Sequence, residues 1–350
     1  MNVIKWLKTK KYNYDLFLKP LSLYNRINVI NRKVKTVLSH NSSPQSLEIG
    51  LSYRCQLNCI HCGVHGESDL TRKELAPSEM KDIIAQAQEL GVYFVVFSGG
   101  EPLLNEHVVE FFSYTAQKGI ITALSTNGQL LTKDIVKELK RERVAFINVS
   151  IDNAQPAVHD KLRGVKGCFQ KAQEGIRRCV DEGVPIIVST YATKENISNG
   201  DLRNIISMSK KIGARGVRIL FVVPAGKLLG CSRIDFSEQE KKYVRSLLDP
   251  SYVYIEGVRN KFTECNAILK KLFYLSPYGD VQPCSFVPLS FGNIRKKPLA
   301  DIWETMINHE FYKIIDGKDC IMRNKVFQKK YLGFLKGKNK KWPLPIDDCI

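Results

Sequence analysis

The chain has 350 residues and a net charge of +18, with 44% apolar and 25% charged residues. This balance is typical of a folded globular protein with one large or two modest domains. No apolar run approaches the roughly 20 residues of a membrane-spanning helix, and the first residues lack the apolar core of a signal peptide. Ten cysteines without an export signal fit a reducing compartment. We therefore expect a cytoplasmic protein whose thiols serve metals or catalysis.

The positive charge is concentrated at the two ends of the chain. Residues 1–47 contain nine Lys or Arg and one acid, and residues 318–341 contain the same numbers, so the middle is close to neutral. Residues 1–36 mix lysines with aromatic and leucine side chains, which permits a helix on an anionic membrane surface. Solvated basic ends without a specific partner are an equally good interpretation. No aromatic-rich RNA-binding motif is present, so a nucleic-acid partner is not expected.

Short apolar runs alternate with helical patterns through the middle of the chain. The predicted strands are Leu47–Ser52, Tyr93–Ser98, Ile120–Thr126, Ala145–Ile151, Pro185–Tyr191 and Val217–Val223. The predicted helices lie near 78–90, 106–118, 133–142, 168–182 and 200–212. Strands that are apolar throughout are buried on both faces, and long connections between them predict a parallel sheet. Ligands of such sheets bind at the carboxyl ends of the strands.

Three cysteines, Cys55, Cys59 and Cys62, follow the first predicted strand. Thiolates are soft ligands that select zinc or iron–sulfur clusters. Three of them are one short of a closed four-thiolate site, which leaves one coordination position for a ligand that is not protein. A zinc site with His61 or His65 as the fourth ligand is an alternative. Buried structural cysteines are less consistent with the polar residues between the thiols.

The spacing Cys-x-x-x-Cys-x-x-Cys after a first strand resembles the cluster loop of the radical S-adenosylmethionine (SAM) enzymes. The resemblance implies a [4Fe–4S] cluster on the three cysteines, with SAM on the open iron. Reductive cleavage of SAM then yields a 5′-deoxyadenosyl radical that abstracts hydrogen from a substrate. The resemblance also implies an α/β fold, a partial (β/α)6 barrel related to the TIM barrel, and a low-potential electron donor such as flavodoxin or ferredoxin.

Further motifs occur in the order of that family at the ends of later strands. Ser-Gly-Gly-Glu-Pro at 98–102 resembles the segment that binds the SAM amino group, although alone it is an ordinary strand-to-helix turn. Ser-Thr-Asn-Gly at 125–128 and Ser-Ile-Asp-Asn at 150–153 follow, with Asn153 where the family has glycine. A guanidinium makes forked bonds to a carboxylate, so Arg163 is a candidate for the SAM carboxylate, with a plain surface role as the alternative. The resemblance assigns SAM binding to Gly99, Gly100, Glu101, Ser125, Asn127, Ser150 and Arg163.

The chain changes character after about residue 235. Cys265 and Cys284 flank a predicted hairpin that turns at Tyr278-Gly279. Their spacing resembles the opening of the SPASM and Twitch extensions, which hold auxiliary iron–sulfur clusters. The dense cysteine run that completes two clusters in SPASM proteins is missing, so we expect one auxiliary [4Fe–4S] cluster.

The remaining ligands of this auxiliary cluster are assigned by elimination. They are Cys320 and Cys349, and Cys231 can substitute for either. Unliganded thiols are the alternative, because spaced cysteines are easily interpreted as metal sites. No catalytic acid or base is predicted, since Ser285 follows Cys284 where one SPASM group has aspartate.

These patterns divide the chain into a basic lead-in at 1–44, a barrel core at 45–235 and a cluster-bearing region at 236–350. Cys168 and Cys179, about three turns apart on one predicted helix, are interpreted as core packing. The predicted activity is that of a radical SAM oxidoreductase or maturase acting on a peptide or small molecule. Two alternatives stay open: a membrane-docked enzyme acting on a lipid, and a non-catalytic zinc protein that binds RNA.

Overall fold

A computed structural model describes most of the chain between residues 43 and 349. The described residues are 43–69, 71–231, 234–249, 251–256, 265–313, 320–333 and 343–349. The predicted membrane-binding segment, part of the basic C-terminal tail and the side chain of Cys349 lie outside this set. Among the described helices, none combines the length and apolar character needed to span a bilayer.

Six parallel strands form the centre of the fold in the order of the sequence. They are β1 (Ser46–Ser52), β2 (Phe94–Gly99), β3 (Ile121–Thr126), β4 (Phe146–Ser150), β5 (Ile186–Ala192) and β6 (Gly216–Phe221). Each strand pairs in parallel with the next, as where Ala123 of β3 lies opposite Phe146 of β4. All six predicted strands are confirmed to within two residues at either end.

The sheet continues past β6 and past β1. β7 (Val253–Glu256) pairs in parallel with β6, and β8 (Leu272–Leu275) pairs in parallel with β1. β9 (Val281–Gln282) returns antiparallel to β8 through a turn in which Gly279 has a φ of +88°, a conformation that favours glycine. The predicted hairpin is therefore confirmed, and it joins the C-terminal region to the strand that leads into the first three cysteines. A small second sheet pairs β10 (Leu289–Ser290) with β11 (Leu344–Pro345).

Helices connect and cover the strands. They are α1 (Pro77–Glu89), α2 (Val108–Gln117), α3 (Lys133–Arg141), α4 (Pro156–Arg163), α5 (Cys168–Asp181), α6 (Lys194–Ser198), α7 (Asp201–Lys211), α8 (Glu238–Ser246), α9 (Leu299–Asn308) and α10 (Lys325–Phe327). Five of them match the predicted helices. The prediction missed α4 because the residues that it buries are His159 and Arg163, so it lacks the apolar repeat by which a helix is recognised.

The core lies between the sheet and the helices. Phe97 of β2 packs against Phe111 and Phe112 of α2, with ring centroids 6.2 and 5.1 Å apart. Burying an aromatic side chain of this size contributes roughly 1.5–3 kcal/mol to stability. Cys168 and Cys179 of α5 are 1% and 0% exposed, which confirms that both are buried packing residues.

Candidate active site

The carboxyl ends of β1 to β6 open into one cavity of about 430 Å³, which we call the cysteine cavity. Six cysteines line it, in two groups that we call the first triad (Cys55, Cys59 and Cys62) and the second triad (Cys265, Cys284 and Cys320). The first triad lies on the loop after β1, and the second belongs to the C-terminal region. The fold therefore places the two triads around the same cavity.

The loop that carries the first triad, residues 55–62, is held from two sides. On one side, the amides of Asn58 and Ile60 donate to the carbonyls of the last two residues of α4, at 3.0 Å each. On the other side, the amide of Lys227 donates to the carbonyl of Cys62 at 3.0 Å. Lys227 belongs to a short 3-10 turn, Gly226–Leu228, that follows β6. The cysteine loop is thus fixed between α4 and this turn.

Two polar side chains point at thiols of the first triad. Nδ2 of Asn127 donates to Sγ of Cys55 at 3.9 Å, and Nη1 of Arg163 donates to Sγ of Cys59 at 3.6 Å. Burial raises the pKa of the Cys55 and Cys62 thiols, so a metal that binds here must displace their protons. Three thiols on one loop with hydrogen-bond donors aimed at the sulfurs fit the donor set of an iron–sulfur cluster.

The zinc alternative with His61 as fourth ligand is not supported by the contacts of that ring. Nε2 of His61, one proposed fourth ligand, lies 3.3 Å from Oδ2 of Asp152, and its ring packs edge-on against Tyr191 at 4.8 Å. Across the described residues, no three His, Cys, Asp or Glu side chains are arranged to hold a single metal ion.

Gly99 and Gly100 bring the end of β2 against the strand that leads to Cys55. The amide of Gly100 donates to the Ser52 carbonyl at 2.7 Å. A Cβ on Gly99 would lie 2.4 Å from the same carbonyl oxygen, and one on Gly100 would lie 2.3 Å from that of Arg54. Any side chain here would push the two segments apart, so the sequence requires glycine at both positions.

Glu101 directly follows Gly100 and is fully buried. Its carboxylate accepts hydrogen bonds from Oγ1 of Thr126 at 2.7 Å, the amide of Asn127 at 2.8 Å and the amide of Leu103 at 3.1 Å. Burial raises the pKa of Glu101 to about 6. The carboxylate thus positions Asn127, the residue that donates to Cys55.

Arg163 and Asp152 form a buried ion pair beside the first triad. Nε of Arg163 lies 2.6 Å from Oδ2 of Asp152. Burial opposes ionisation of Asp152, but the charges of Arg163 and His61 outweigh it and lower its pKa. The guanidinium therefore contacts both a carboxylate and a thiol. Six of the seven residues assigned to SAM line the cysteine cavity, namely Gly99, Gly100, Ser125, Asn127, Ser150 and Arg163.

The second triad is brought together by the β8–β9 hairpin and by the segment at 320. Burial raises the pKa of Cys284 well above its usual range, and the neighbouring thiols of Cys265 and Cys320 raise it further. Cys320, assigned by elimination, therefore lies beside the two hairpin cysteines. Cys231 follows the 3-10 turn after β6, and within the described residues it does not line the cavity.

Glu48 also lines the cavity, although no sequence motif includes it. It accepts hydrogen bonds from Oγ of Ser98 at 2.8 Å and from Oγ of Ser285 at 3.1 Å. Burial raises the pKa of Glu48, and the charge of Arg218 opposes the shift. The available signal was an acid between two apolar residues, Leu47 and Ile49, in the first predicted strand.

A further buried acid joins the barrel to the C-terminal region. Tyr53, just after β1, donates to Oε2 of Glu67 at 2.7 Å, and the hydroxyl of Tyr274 on β8 donates to that of Tyr53 at 3.2 Å. Glu67 is 2% exposed, and burial raises its pKa to about 8. Its carboxyl group is therefore largely protonated in the folded protein at neutral pH.

Comparison with known protein families identifies the fold and its cofactors. Residues 49–208 match the family model of the radical SAM superfamily, and residues 265–331 match SPASM, an iron–sulfur cluster-binding domain. The chain therefore carries a radical SAM domain followed by a SPASM domain. It is an enzyme with a [4Fe–4S] cluster and SAM as cofactors and an auxiliary iron–sulfur domain. The non-catalytic alternative is therefore excluded.

Relatives with curated functions act on different substrates. The AdoMet-dependent heme synthase of Methanosarcina barkeri is 28% identical over 296 residues, which cover 77% of this chain and 84% of the relative. The PqqA peptide cyclase of Bradyrhizobium diazoefficiens is 26% identical over 281 residues, covering 75% and 73%. The fold resembles that of Streptococcus suis SuiB bound to its precursor peptide SuiA, with a TM-score of 0.61, 20% identity, and 81% and 70% coverage. The names of these proteins differ in the molecule that each one makes, modifies or binds.

Proposed function

We propose that this radical SAM enzyme abstracts a hydrogen atom from a substrate that binds in the cysteine cavity between the two triads. When bound, the cluster and SAM supply a 5′-deoxyadenosyl radical. The observation that carries the proposal is that both triads line one cavity. A substrate there lies next to the site of radical formation and next to an iron–sulfur cluster that can exchange an electron with it.

The first triad would hold the SAM cluster, as its position after β1 and its missing fourth protein ligand favour. SAM would bind to the part of the cavity wall that comprises Gly99, Gly100, Ser125, Asn127 and Ser150. Arg163 would bind the SAM carboxylate, and Glu101 would hold Asn127 in place. The second triad would hold the auxiliary cluster, with Cys349 as the candidate fourth ligand. The resemblance to the family and the shared cavity support these assignments.

The substrate class that we propose is an acidic peptide. The charged side chains that line the cavity comprise four cations and two carboxylates. A cavity with this excess of positive charge attracts acidic ligands. The likeness to a PqqA peptide cyclase supports a peptide. A tetrapyrrole is the second candidate, because the chain also matches heme synthases and an Fe-coproporphyrin III synthase of Methanosarcina barkeri.

The test is the formation of 5′-deoxyadenosine by the anaerobically reconstituted enzyme with SAM and dithionite. We would add either a library of Glu- and Asp-containing peptides, the same library with Gln and Asn, or Fe-coproporphyrin III. Stimulation and a mass change only with the acidic peptides would support the proposal. Stimulation by the porphyrin alone would establish the second candidate. Equal effects of acidic and neutral peptides would refute the electrostatic argument. If no probe raises the basal rate, neither substrate class stands.

Glu48 is the proposed proton acceptor in this reaction. If the substrate radical is formed at a carbon that bears an O–H or N–H group, its oxidation would release a proton from that group, and the auxiliary cluster that the second triad would hold could take up the electron. Glu48 faces the cavity, and Ser285, which holds its carboxylate, directly follows Cys284 of the second triad. A carboxylate with a raised pKa is a better base than an ordinary one. Glu48 is therefore a carboxylate of the cavity wall that is hydrogen-bonded to the residue following Cys284.

A further inference from the structure

We propose that Arg163 and Asp152 act as a charge pair that sets the reduction potential of the cluster on the first triad. In this pair, Arg163 raises the potential and Asp152 lowers it. The inference rests on the proposed assignment of the first triad as the SAM cluster site. It concerns a function of Arg163 that is separate from its proposed contact with SAM.

The position of Arg163 relative to the thiols is fixed by both its backbone and its side chain. It is the last residue of α4, and Gly164 ends that helix with a φ of +74°. The carbonyl of Arg163 accepts a hydrogen bond from the amide of Asn58 at 3.0 Å, within the cysteine loop. A Cβ on Gly164 would lie 2.8 Å from the Asn58 carbonyl oxygen, so the helix end and the loop are in close contact.

The guanidinium has two partners. Its Nη1 donates to Sγ of Cys59 at 3.6 Å, and its Nε lies 2.6 Å from Oδ2 of Asp152. The side chains of Arg163 and Asp152 are 10% and 4% exposed, respectively. Because both are buried, water and salt screen their charges much less than those of surface groups. The pair is held in place from the other side, since Asp152 also lies 3.3 Å from Nε2 of His61 in the cysteine loop.

Reduction adds one negative charge to the cluster and its thiolates. A hydrogen bond donated to a ligand sulfur stabilises that added charge, and hydrogen bonds to the sulfurs are among the factors that set cluster potentials. A positive charge at Arg163 therefore makes reduction easier. A negative charge at Asp152 makes reduction harder and also orients the guanidinium. The two residues are expected to shift the potential in opposite directions.

The opposite signs of the two expected shifts in potential distinguish an electrostatic role of the pair from a structural one. If the pair only held the loop in shape, loss of either partner would disturb the cluster in a similar way. If the pair acts by charge, Arg163→Gln lowers the potential and Asp152→Asn raises it. Arg163→Lys, which keeps the charge near the sulfur, restores the potential toward the wild-type value.

The experiment is an EPR-monitored redox titration of the reconstituted full-length enzyme without SAM. A variant with all three cysteines of the first triad replaced by alanine identifies which signal belongs to the SAM cluster. Arg141→Gln is the matched control, because Arg141 ends α3 just before β4, away from the carboxyl ends of the strands, and its side chain is 66% exposed. We expect an unchanged potential in this control.

Shifts of opposite sign in the Gln and Asn variants, with iron content retained, support the inference. Shifts of the same sign, or no shift in either variant, overturn it. If Arg163→Gln binds no iron, Asp152→Asn alone decides the question by the sign of its shift. Loss of iron from both variants would show a structural role and would also overturn the inference. The 5′-deoxyadenosine assay is run separately, so failure of the proposed function is distinguishable from failure of this inference.

Discussion

Replacing Gly226 by alanine should disrupt the cysteine loop while leaving the rest of the protein folded. A Cβ at this position would lie 2.1 Å from the carbonyl oxygen of Cys62 and 2.7 Å from the carbonyl of Gly63, where ordinary contacts are 3.4–4 Å. The loop or the turn after β6 must therefore move by about 1 Å. Overpacking of this kind costs roughly 1–3 kcal/mol. The shift also weakens the hydrogen bond from Lys227 to Cys62, worth about 1 kcal/mol.

Gly230→Ala is the matched control for this effect. Gly226 and Gly230 have positive φ angles of 52° and 77°, so both substitutions incur a backbone cost of roughly 1–2 kcal/mol. No atom lies within 4 Å of a Cβ at Gly230, so only the first substitution adds a clash with the cysteine loop. The difference between the two variants therefore isolates that contact.

The assay is iron and sulfide content after anaerobic reconstitution, with EPR to assign the clusters. We expect the Gly230 variant to bind about as much iron as the wild type. The Gly226 variant should lose up to about four irons, the content of one [4Fe–4S] cluster, from the first triad and keep the auxiliary signal. Full iron content and normal SAM cleavage in the Gly226 variant would refute the reasoning that this turn holds the loop.

Three further predictions address other residues. Glu67 has a higher pKa in the folded than in the unfolded protein. Its contribution to the free energy of unfolding therefore falls as pH rises from about 4.5 to about 8. Between pH 5 and 8, the free energy of unfolding measured with urea should fall by roughly 3 kcal/mol less in Glu67→Gln than in the wild type. An equal fall in both proteins would contradict the raised pKa of Glu67. Glu48→Gln should slow product formation roughly 10²–10⁴-fold without slowing SAM cleavage, whereas Glu74→Gln, outside the cavity lining, should have no effect. Equal product rates in the two variants would exclude Glu48 as the base. Cys320→Ala should remove up to about four irons and Cys231→Ala none; the reverse would transfer the ligand assignment to Cys231.

The parts of the fold that follow from strong local patterns were predictable from the sequence. β1 to β6 are short runs rich in apolar residues, and their boundaries were found to within two residues. The helix α4 was missed because its buried residues, His159 and Arg163, are polar. Both contact Asp152, which precedes the helix, and Arg163 also contacts the cysteine loop, which is distant in sequence. An argument from periodicity does not detect these contacts.

The candidate site shows the same division between local and long-range information. The first triad and the Gly99-Gly100 motif are short patterns and could be recognised directly. The contacts of Glu48 with Ser98 and Ser285 join three separate segments, so they required the fold. The contact of Arg163 with Cys59 has the same origin. The domain boundary near residue 235, the electron donor and the fourth auxiliary ligand, Cys349, stay predictions.

The most direct test of the account is to count iron and sulfide in the wild type and in two variants, each with one triad replaced by alanine. We expect about eight irons in the wild type and about four in each variant, as two [4Fe–4S] clusters require. SAM cleavage should be lost only when the first triad is replaced. Zinc in place of iron, or loss of all iron from replacement of one triad alone, would contradict the claim that two clusters share this cavity.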